Sequence, residues 1–111
     1  MTNISFTQTN SDKENSNKYL LKSNQKELGY AYILNTGSAN NIYVFIHPEY
    51  RSNGFGFLLF SNAIQQLRAI NKYPHITLDI EKTNIHANNI VAKCGGMILS
   101  EDDKKHWLLK L

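Results

Sequence analysis

The stretch that decides the fold runs from Ile46 to Phe57 and reads IHPEYRSNGFGF. A run of strand-forming residues ends at Ile46, and Pro48 then removes a ladder donor and disfavours helix in the residue before it. Gly54 and Gly56 precede an amphipathic segment. A helix start offers unpaired N–H groups, and glycine allows close approach of a ligand, so this order predicts a phosphate-binding turn. Taken alone, two such glycines are more often only a tight turn.

The segment after the glycines changes to helical periodicity. Its apolar residues recur three or four positions apart, which predicts a helix from about Gly54 to Ile70 with one buried face. Asn71 to Pro74 is expected to end it. The apolar residues of this pattern are Phe57, Leu58, Phe60, Ile64, Leu67 and Ile70.

Upstream, three runs have the character of strands joined by polar turns. They are Lys18 to Lys22, Leu28 to Leu34 and Asn41 to Ile46, and we expect them to form an antiparallel meander. The polar segment from Met1 to Asn17, in which only Ile4 and Phe6 alternate as apolar residues, is either a short edge strand followed by a loop or a loose tail.

Downstream, Ile76 to Ile80 reads as a buried strand and Asn84 to Lys93 as a second helix that stops at the glycines after Cys94. A closing hairpin of Met97 to Leu99 and His106 to Leu109 follows. Right-handed crossover predicts that the strand before the first helix and the strand after it run parallel. The fold class is therefore α/β (α+β), with a mixed, mostly antiparallel central sheet of six or seven strands and two main helices.

Composition bounds the protein further. Its 111 residues suit one domain over residues 1–111, and 41% hydrophobic against 19% charged residues is typical of a globular protein. The net charge of +3 lacks the dense basic stripe of a nucleic-acid binder. Cys94 is the single cysteine, so no intrachain disulfide or multi-cysteine zinc site is expected. Without a signal peptide or a bilayer-length apolar run, we expect a cytoplasmic protein with no membrane partner.

Two segments resemble the N-acetyltransferases of the GNAT family. Residues Arg51 to Gly56 match the family pattern of Arg or Gln, two residues, Gly, any residue, and Gly or Ala, placed between a strand and an amphipathic helix. Asn84 to Gly96 resembles the family's Asn-x-x-Ala segment, helix and Lys-x-Gly-Phe signature. The resemblance spans roughly Leu28 to Leu109, and two motifs in the right order are more specific than either alone.

The resemblance implies a GNAT-like fold that binds acetyl-CoA as acetyl donor. The glycine turn would hold the pyrophosphate, and the preceding strand would pair with the pantetheine arm like an added strand. Asn84 would contact the cofactor near its thioester, cap the second helix, or do both. The cofactor-binding residues implied are Val44, Ile46, Arg51, Ser52, Asn53, Gly54, Phe55, Gly56, Phe57 and Asn84.

The sequence departs from the family pattern at three places. Val91 stands where the family has a tyrosine that protonates the leaving thiolate. Gly96 replaces the usual aromatic residue, which is expected to loosen packing against the sheet. Only Ser11 to Asn17 stands where the family has one or two helices, so we expect an acceptor side that is open or is completed by another chain in a homodimer.

Asp79 is the candidate general base, since some protein-acetylating members of the family place a glutamate there; a solvent-facing carboxylate is the equal alternative. Glu81 replaces it if the strand register differs. The four histidines lack metal-ligand spacing and are expected mostly in surface loops. Cys94 has no evident histidine partner and suits packing better than nucleophilic attack.

The sequence thus supports two main hypotheses. The first is an N-acetyltransferase that moves an acetyl group from acetyl-CoA to an amine on a small molecule or peptide. The second, suggested by Val91 and the missing helices, is an acyl-CoA-binding or interaction module of low activity. A nucleic-acid accessory role rests only on the +3 charge.

Overall fold

A computed structural model describes residues 3–36, 39–70 and 74–111. Its first four strands form one antiparallel sheet in the order β1-β2-β3-β4. The first segment is an edge strand, not a loose tail, because Phe6 stacks on Tyr19 of β2 with ring centroids 5.0 Å apart. These strands are β1 Ile4–Thr9, β2 Ser16–Ser23, β3 Lys26–Thr36 and β4 Ala39–Ile46.

The expected meander is confirmed, and the predicted turn at Ser23 to Gln25 closes its first tight hairpin. Asn24 and Gln25 both have positive φ, which matches the twist of the strands they join. Of the second predicted turn, residues 37 and 38 lie outside the described residues. Pro48 begins a 3-10 turn directly after β4, as expected of a residue that cannot extend the ladder.

Helix α1 spans Phe55–Ile70, as predicted from the apolar periodicity. Its buried face is formed by Leu59, Phe60, Ala63, Ile64 and Leu67. Residues 71–73 of the predicted stop lie outside the described residues.

Phe57 differs from the pattern that placed it on the helix's buried face. Its side chain is 40% exposed, because the buried stripe begins two residues later, at Leu59. One turn of helix is therefore all that separates the glycine loop from the core.

The remaining strands form a second antiparallel sheet in the order β5-β7-β6. Their bounds are β5 His75–Glu81, β6 Met97–Glu101 and β7 Lys104–Lys110, and α2 (Ile85–Lys93) lies between β5 and β6 in the chain. The closing hairpin is longer than predicted. Polar residues next to the turn belong to the strands, so only Asp102 and Asp103 separate them. This is possible because polar side chains are tolerated on the exposed face of a paired ribbon.

The α/β class, the seven strands and the two helices are confirmed, but the central sheet is divided into two sheets. Strands β4 and β5 lie next to each other, as the crossover through α1 requires. Every ladder described is antiparallel, and within the described residues none joins β4 to β5. Each of these strands is the edge of its sheet on the side where they meet.

One hydrophobic cluster underlies both sheets and both helices. Leu21 and Ile33 come from the first sheet, Leu59 and Leu67 from α1, and Ile76 from the second sheet, and all are fully buried. Burial of apolar area from both sheets and both helices stabilises the two sheets as one body, although β6 contributes no described residue to the cluster.

Asn88 is the buried polar residue that connects α2 to both of its neighbours. Its side chain is inside the molecule, where Nδ2 donates to the carbonyl oxygens of Glu81 at 3.0 Å and Asn84 at 2.9 Å. Its Oδ1 accepts from the indole N–H of Trp107 at 2.8 Å. One amide therefore ties the end of β5, the start of α2 and the middle of β7 together.

Gly96 does not loosen the packing, contrary to the sequence-based expectation. A Cβ at this position would stand 2.6 Å from Cγ1 of Val91 and 3.0 Å from Cε3 of Trp107. The Trp107 ring fills the space that an aromatic residue at 96 would need, so only glycine fits.

Among the helices of the described residues, neither is long and apolar enough to cross a bilayer.

Replacing Asn88 tests its role in joining the elements. Asn88→Ala leaves the buried indole N–H of Trp107 without a partner, while the Glu81 and Asn84 carbonyls keep backbone donors, so we expect the free energy of unfolding to fall by about 1 to 3 kcal/mol. Urea denaturation followed by circular dichroism measures this loss. Asn89→Ala, on the exposed face of the same helix, is the control and should change it by less than about 0.5 kcal/mol. Equal losses of unfolding free energy in the two variants would contradict the role of Asn88 in joining these elements.

Candidate active site

A cleft of about 910 Å³ opens where the two sheets separate. Strand β4 lines one wall from Ile42 to Ile46, and β5 lines the other from Leu78 to Glu81. The glycine loop before α1 and the first turns of α2 close its end. The cleft therefore lies where the two motifs of the sequence meet.

Both walls of the cleft are strand edges. Because β4 pairs only with β3, and β5 only with β7, among the ladders described, each presents backbone groups without a ladder partner toward the other. An extended molecule with amide groups is the natural partner for such an edge.

The glycine loop brings backbone close to the cleft. Gly54 has φ of +81°, a conformation that favours glycine, and Ser52 has φ of +67°. A Cβ at Gly56 would stand 3.1 Å from Cδ1 of Ile90, so α1 begins tightly against α2. Phe55 and Gly56, whose N–H groups have no partner within the helix, line this end of the cleft.

Arg51 braces the glycine loop through contacts with the end of β4. Its Nε donates to the carbonyl oxygen of Ile46 at 2.8 Å, and its guanidinium lies over the ring of Phe45. Asn53 Nδ2 donates to the carbonyl oxygens of Tyr50 and Arg51. These contacts hold the loop against the end of β4.

Most of the binding residues predicted from the sequence meet at this cleft. Asn53 and Phe57 are not among the described residues that line it: Asn53 braces the loop, and Phe57 is on the outer side of α1. The predicted residues that do line it are Val44, Ile46, Arg51, Ser52, Gly54, Phe55, Gly56 and Asn84.

Asn84 caps α2, as one of its two predicted roles requires. Its Oδ1 accepts from the backbone N–H of Ala87 at 3.2 Å, which satisfies one of the free donors at the helix start. The cap lies in the cleft wall, so Asn84 also stands where a bound molecule would pass.

Asp79 and Glu81 both line the cleft, so the register leaves both as candidate bases. The two carboxylates differ in the side chains that contact them. Asp79 Oδ1 contacts Nδ1 of His106 at 2.6 Å, and Nε2 of the same ring lies 3.1 Å from both carboxylate oxygens of Asp102. The Asp79 and Asp102 carboxylates raise the pKa of His106 above its usual 6.5, and the backbone N–H of Lys104 together with His106 lowers the pKa of Asp102 to about 2.

The comparison with protein families decides what kind of fold this cleft belongs to. The model of the acetyltransferase (GNAT) family matches residues 3–96. The chain belongs to the GNAT family.

Solved structures of acetyltransferases have a similar fold over most of this chain. A Bacillus subtilis acetyltransferase in complex with CoA is 15% identical, with a TM-score of 0.86 over 98% of this chain and 99% of its own. The IAA acetyltransferase of Bacillus cereus is 13% identical, with a TM-score of 0.83 over 98% and 100%. A Bacillus anthracis acetyltransferase in complex with acetyl coenzyme A is 23% identical, with a TM-score of 0.72 over 90% of this chain and 65% of its own. A search of curated proteins found no match.

Within the GNAT fold, Val91 occupies a buried position in the cleft wall. Its side chain is only 2% exposed and carries no hydroxyl, so this residue supplies no proton. In the part of the chain that the structure describes, no group of histidine, cysteine and carboxylate side chains has the arrangement of a metal site.

The histidines do not follow the expectation of surface loops. His75, His86 and His106 lie in β5, α2 and β7, and His86 lines the cleft. Sequence spacing could not reveal these positions, because contacts across a sheet do not depend on it. Tyr43, Phe45 and His86 are among the lining residues that sequence reasoning missed. It also missed Asn88 and His106, which contact the cleft wall from behind. The only available signal was Asn88, a poor helix former inside a helix.

Cys94 is the last of the candidate reactive groups. Burial raises the pKa of its thiol, so the reactive thiolate is scarce near neutral pH.

We expect iodoacetamide to alkylate Cys94 in the folded protein more slowly at pH 8 than in the urea-unfolded chain, with the rate rising above pH 9. Mass spectrometry of timed samples measures both rates. Faster reaction in the folded state would indicate an activated nucleophile.

Proposed function

We propose that this protein is an acetyl-CoA-dependent N-acetyltransferase whose acceptor is an amine on a small molecule or a peptide. The observation that carries the proposal is the cleft between two unpaired strand edges that ends at the glycine-opened start of α1. The family membership and the CoA-bound structures with the same fold support this reading.

The start of α1 suits the diphosphate of CoA. Backbone N–H groups from Ser52 to Phe57 offer donors and a positive dipole end, and Gly54 leaves the space above its Cα open. The side chain of Arg51 is engaged with the carbonyl of Ile46, so its contribution is to brace the loop and add positive charge.

The edge of β4 suits the pantetheine arm. Val44 and Ile46 have side chains packed toward the core while the strand edge faces β5, so the amides of the arm would pair with the edge as an added strand does. A backbone N–H of this edge would polarise the thioester carbonyl, and Asn84 would contact the arm near its reactive end.

The transfer step needs a proton acceptor and a proton donor. Asp79 lines the cleft and would take a proton from the acceptor's ammonium group, which leaves a neutral amine to attack the thioester carbonyl. The departing CoA thiolate, a good leaving group, would be protonated by water, because Val91 has no proton to give.

The acceptor would reach the thioester from an open side. Only residues 10–15 connect β1 to β2, so no helix covers the cleft at this point of the fold. Tyr43, 53% exposed, and Phe45 form the rim opposite the carboxylates. A second copy of the chain in a homodimer would complete this side.

The second candidate function is an acyl-CoA-binding module with little catalysis. The buried Val91 in the cleft wall favours it, because the site lacks an evident acid. Tight CoA binding without thiol release above background, across amine and peptide panels, would select this function over the transferase.

Exchanging the two cleft carboxylates one at a time tests the base. We expect Asp79→Asn to lower kcat by about 100-fold or more, the usual contribution of a positioned base, while the affinity for CoA stays the same. Glu81→Gln is the matched control, since it removes a carboxylate from the same wall. Thiol release across pH measures both. A larger loss in Glu81→Gln would move the role of base to Glu81.

Placing a carboxylate at the glycine loop tests the diphosphate seat. Like charges about 4 Å apart near a protein surface repel by about 4 kcal/mol, which is roughly 1,000-fold in affinity. Because Gly54 is exposed and salt screens part of this repulsion, we expect Gly54→Asp to weaken CoA binding by roughly 10-fold to 1,000-fold. Calorimetry measures the affinity. Gly95→Asp introduces the same charge at another glycine with positive φ and open space, but away from the cleft, and should leave binding unchanged. Unaltered affinity in a folded Gly54→Asp variant would exclude this seat.

A further inference from the structure

A chain of three side chains runs from the β6–β7 turn to the cleft. Asp102 in the turn contacts Nε2 of His106 at 3.1 Å, and Nδ1 of His106 contacts Asp79 at 2.6 Å. His106 and Asp79 are directly opposite in the β5–β7 ladder, so the backbone register brings them together.

The geometry of the chain is linear and not convergent. The two carboxylates lie on opposite nitrogens of one imidazole, so the three groups do not surround a common point as metal ligands would. Of the three, Asp79 alone is among the described residues lining the cleft. His106 lies one strand behind it and is 28% exposed, against 62% for Asp79.

We infer that His106 is a positioning residue that, held by Asp102, fixes the carboxylate of Asp79 for its work in the cleft. This inference rests on the proposed function. His106 donates from Nδ1 to Oδ1 of Asp79, which leaves Oδ2 free to meet the acceptor amine. An exposed carboxylate otherwise samples several rotamers, and misplacement of a reacting group is costly to the rate.

The histidine–carboxylate pair of His47 and Glu27 provides a comparison for the pair of His106 and Asp79. Nε2 of His47 contacts Glu27 at 2.6 Å, and the two histidines are similarly exposed. Neither His47 nor Glu27 is among the residues described as lining the cleft, and Glu27 is the one carboxylate partner of His47 among the described contacts. Surface ion pairs of this kind contribute little. The pair at His106 differs because it is held from behind by Asp102 and ends in the cleft.

The positioning should depend on pH. His106 faces Asp79 on β5, Ser100 on β6 and Asp102 in the turn, with Glu81 and Lys104 paired at the next position on the same face. The two carboxylates raise the pKa of His106, so its imidazolium persists above pH 6.5. Both hydrogen bonds are present in full below that value. As pH rises through the raised pKa, the ring loses a proton and one carboxylate loses its donor.

The experiment compares wild type with His106→Asn, whose amide has one donor nitrogen, no second donor nitrogen on the opposite side, and no charge. We expect kcat/KM to fall by roughly 10- to 100-fold, the cost of misplacing a reacting group by about 1 Å. The ratio of wild-type to variant kcat/KM should decline as pH rises through the raised pKa of His106, because the neutral imidazole then also has a single donor nitrogen. Taking the ratio cancels the titration of the acceptor amine.

His47→Asn is the matched control, and its ratio to wild type should stay flat and near one. NMR titration of the His106 ring provides a readout that needs no activity. Its pKa should lie above 6.5 in wild type and fall in Asp79→Asn, since Asp79 is the larger cause of the shift.

Each outcome decides the inference. A flat ratio for His106→Asn, like that of His47→Asn, would overturn it, and so would a ring titration that Asp79→Asn leaves unchanged. If wild type transfers no acetyl group to any amine tested, the proposed function fails, and so does the role of the His106–Asp79 pair in catalysis. The ring titration would then still show whether His106 holds Asp79.

Discussion

The hydrogen bonds of Asn88 are the constraint on which the cleft depends. A buried amide must find partners, and this one finds the last carbonyl of β5, the capping carbonyl of α2 and the indole of Trp107. Because one side chain contacts all three, and is the partner of the buried indole N–H, α2 cannot shift along β5 without leaving that N–H unpaired. The start of α2 is thereby held in the cleft wall, opposite the start of α1, with Gly56 allowing the two helices to approach closely.

With both helix starts held in place, the separation of the two sheets becomes a usable feature of the fold. A continuous sheet would have joined β4 and β5 by backbone hydrogen bonds and left no room for a ligand. Here the crossover through α1 brings the strands side by side while the hydrophobic cluster beneath them supplies the stability that the missing ladder does not. The same arrangement gives the cleft a polar backbone on both walls and carboxylates on one, which is suited to a ligand with amides, phosphates and an amine partner.

The fold was largely predictable from local pattern. The periodicity after Phe57, the turn at Asn24 and the glycine stop after Cys94 each reflect a rule that acts within a few residues, and the elements formed there accordingly. The predictions that failed concern residues whose neighbours are far away in the chain. Gly96 is required because Val91 and the more distant Trp107 together fill the adjacent space, and Phe57 is exposed because the packing of α1 against both sheets sets its buried face.

The site divides in the same way. The sequence by itself determined the glycine loop, the capping asparagine and the carboxylates of β5, since each belongs to a motif that is contiguous in the chain. Only the tertiary structure decided that Asp79 is held by His106 and that Asn88 joins three elements. Strand order is the reason: β7 lies between β5 and β6, so residues 27 positions apart become direct neighbours, and no spacing in the sequence records that contact.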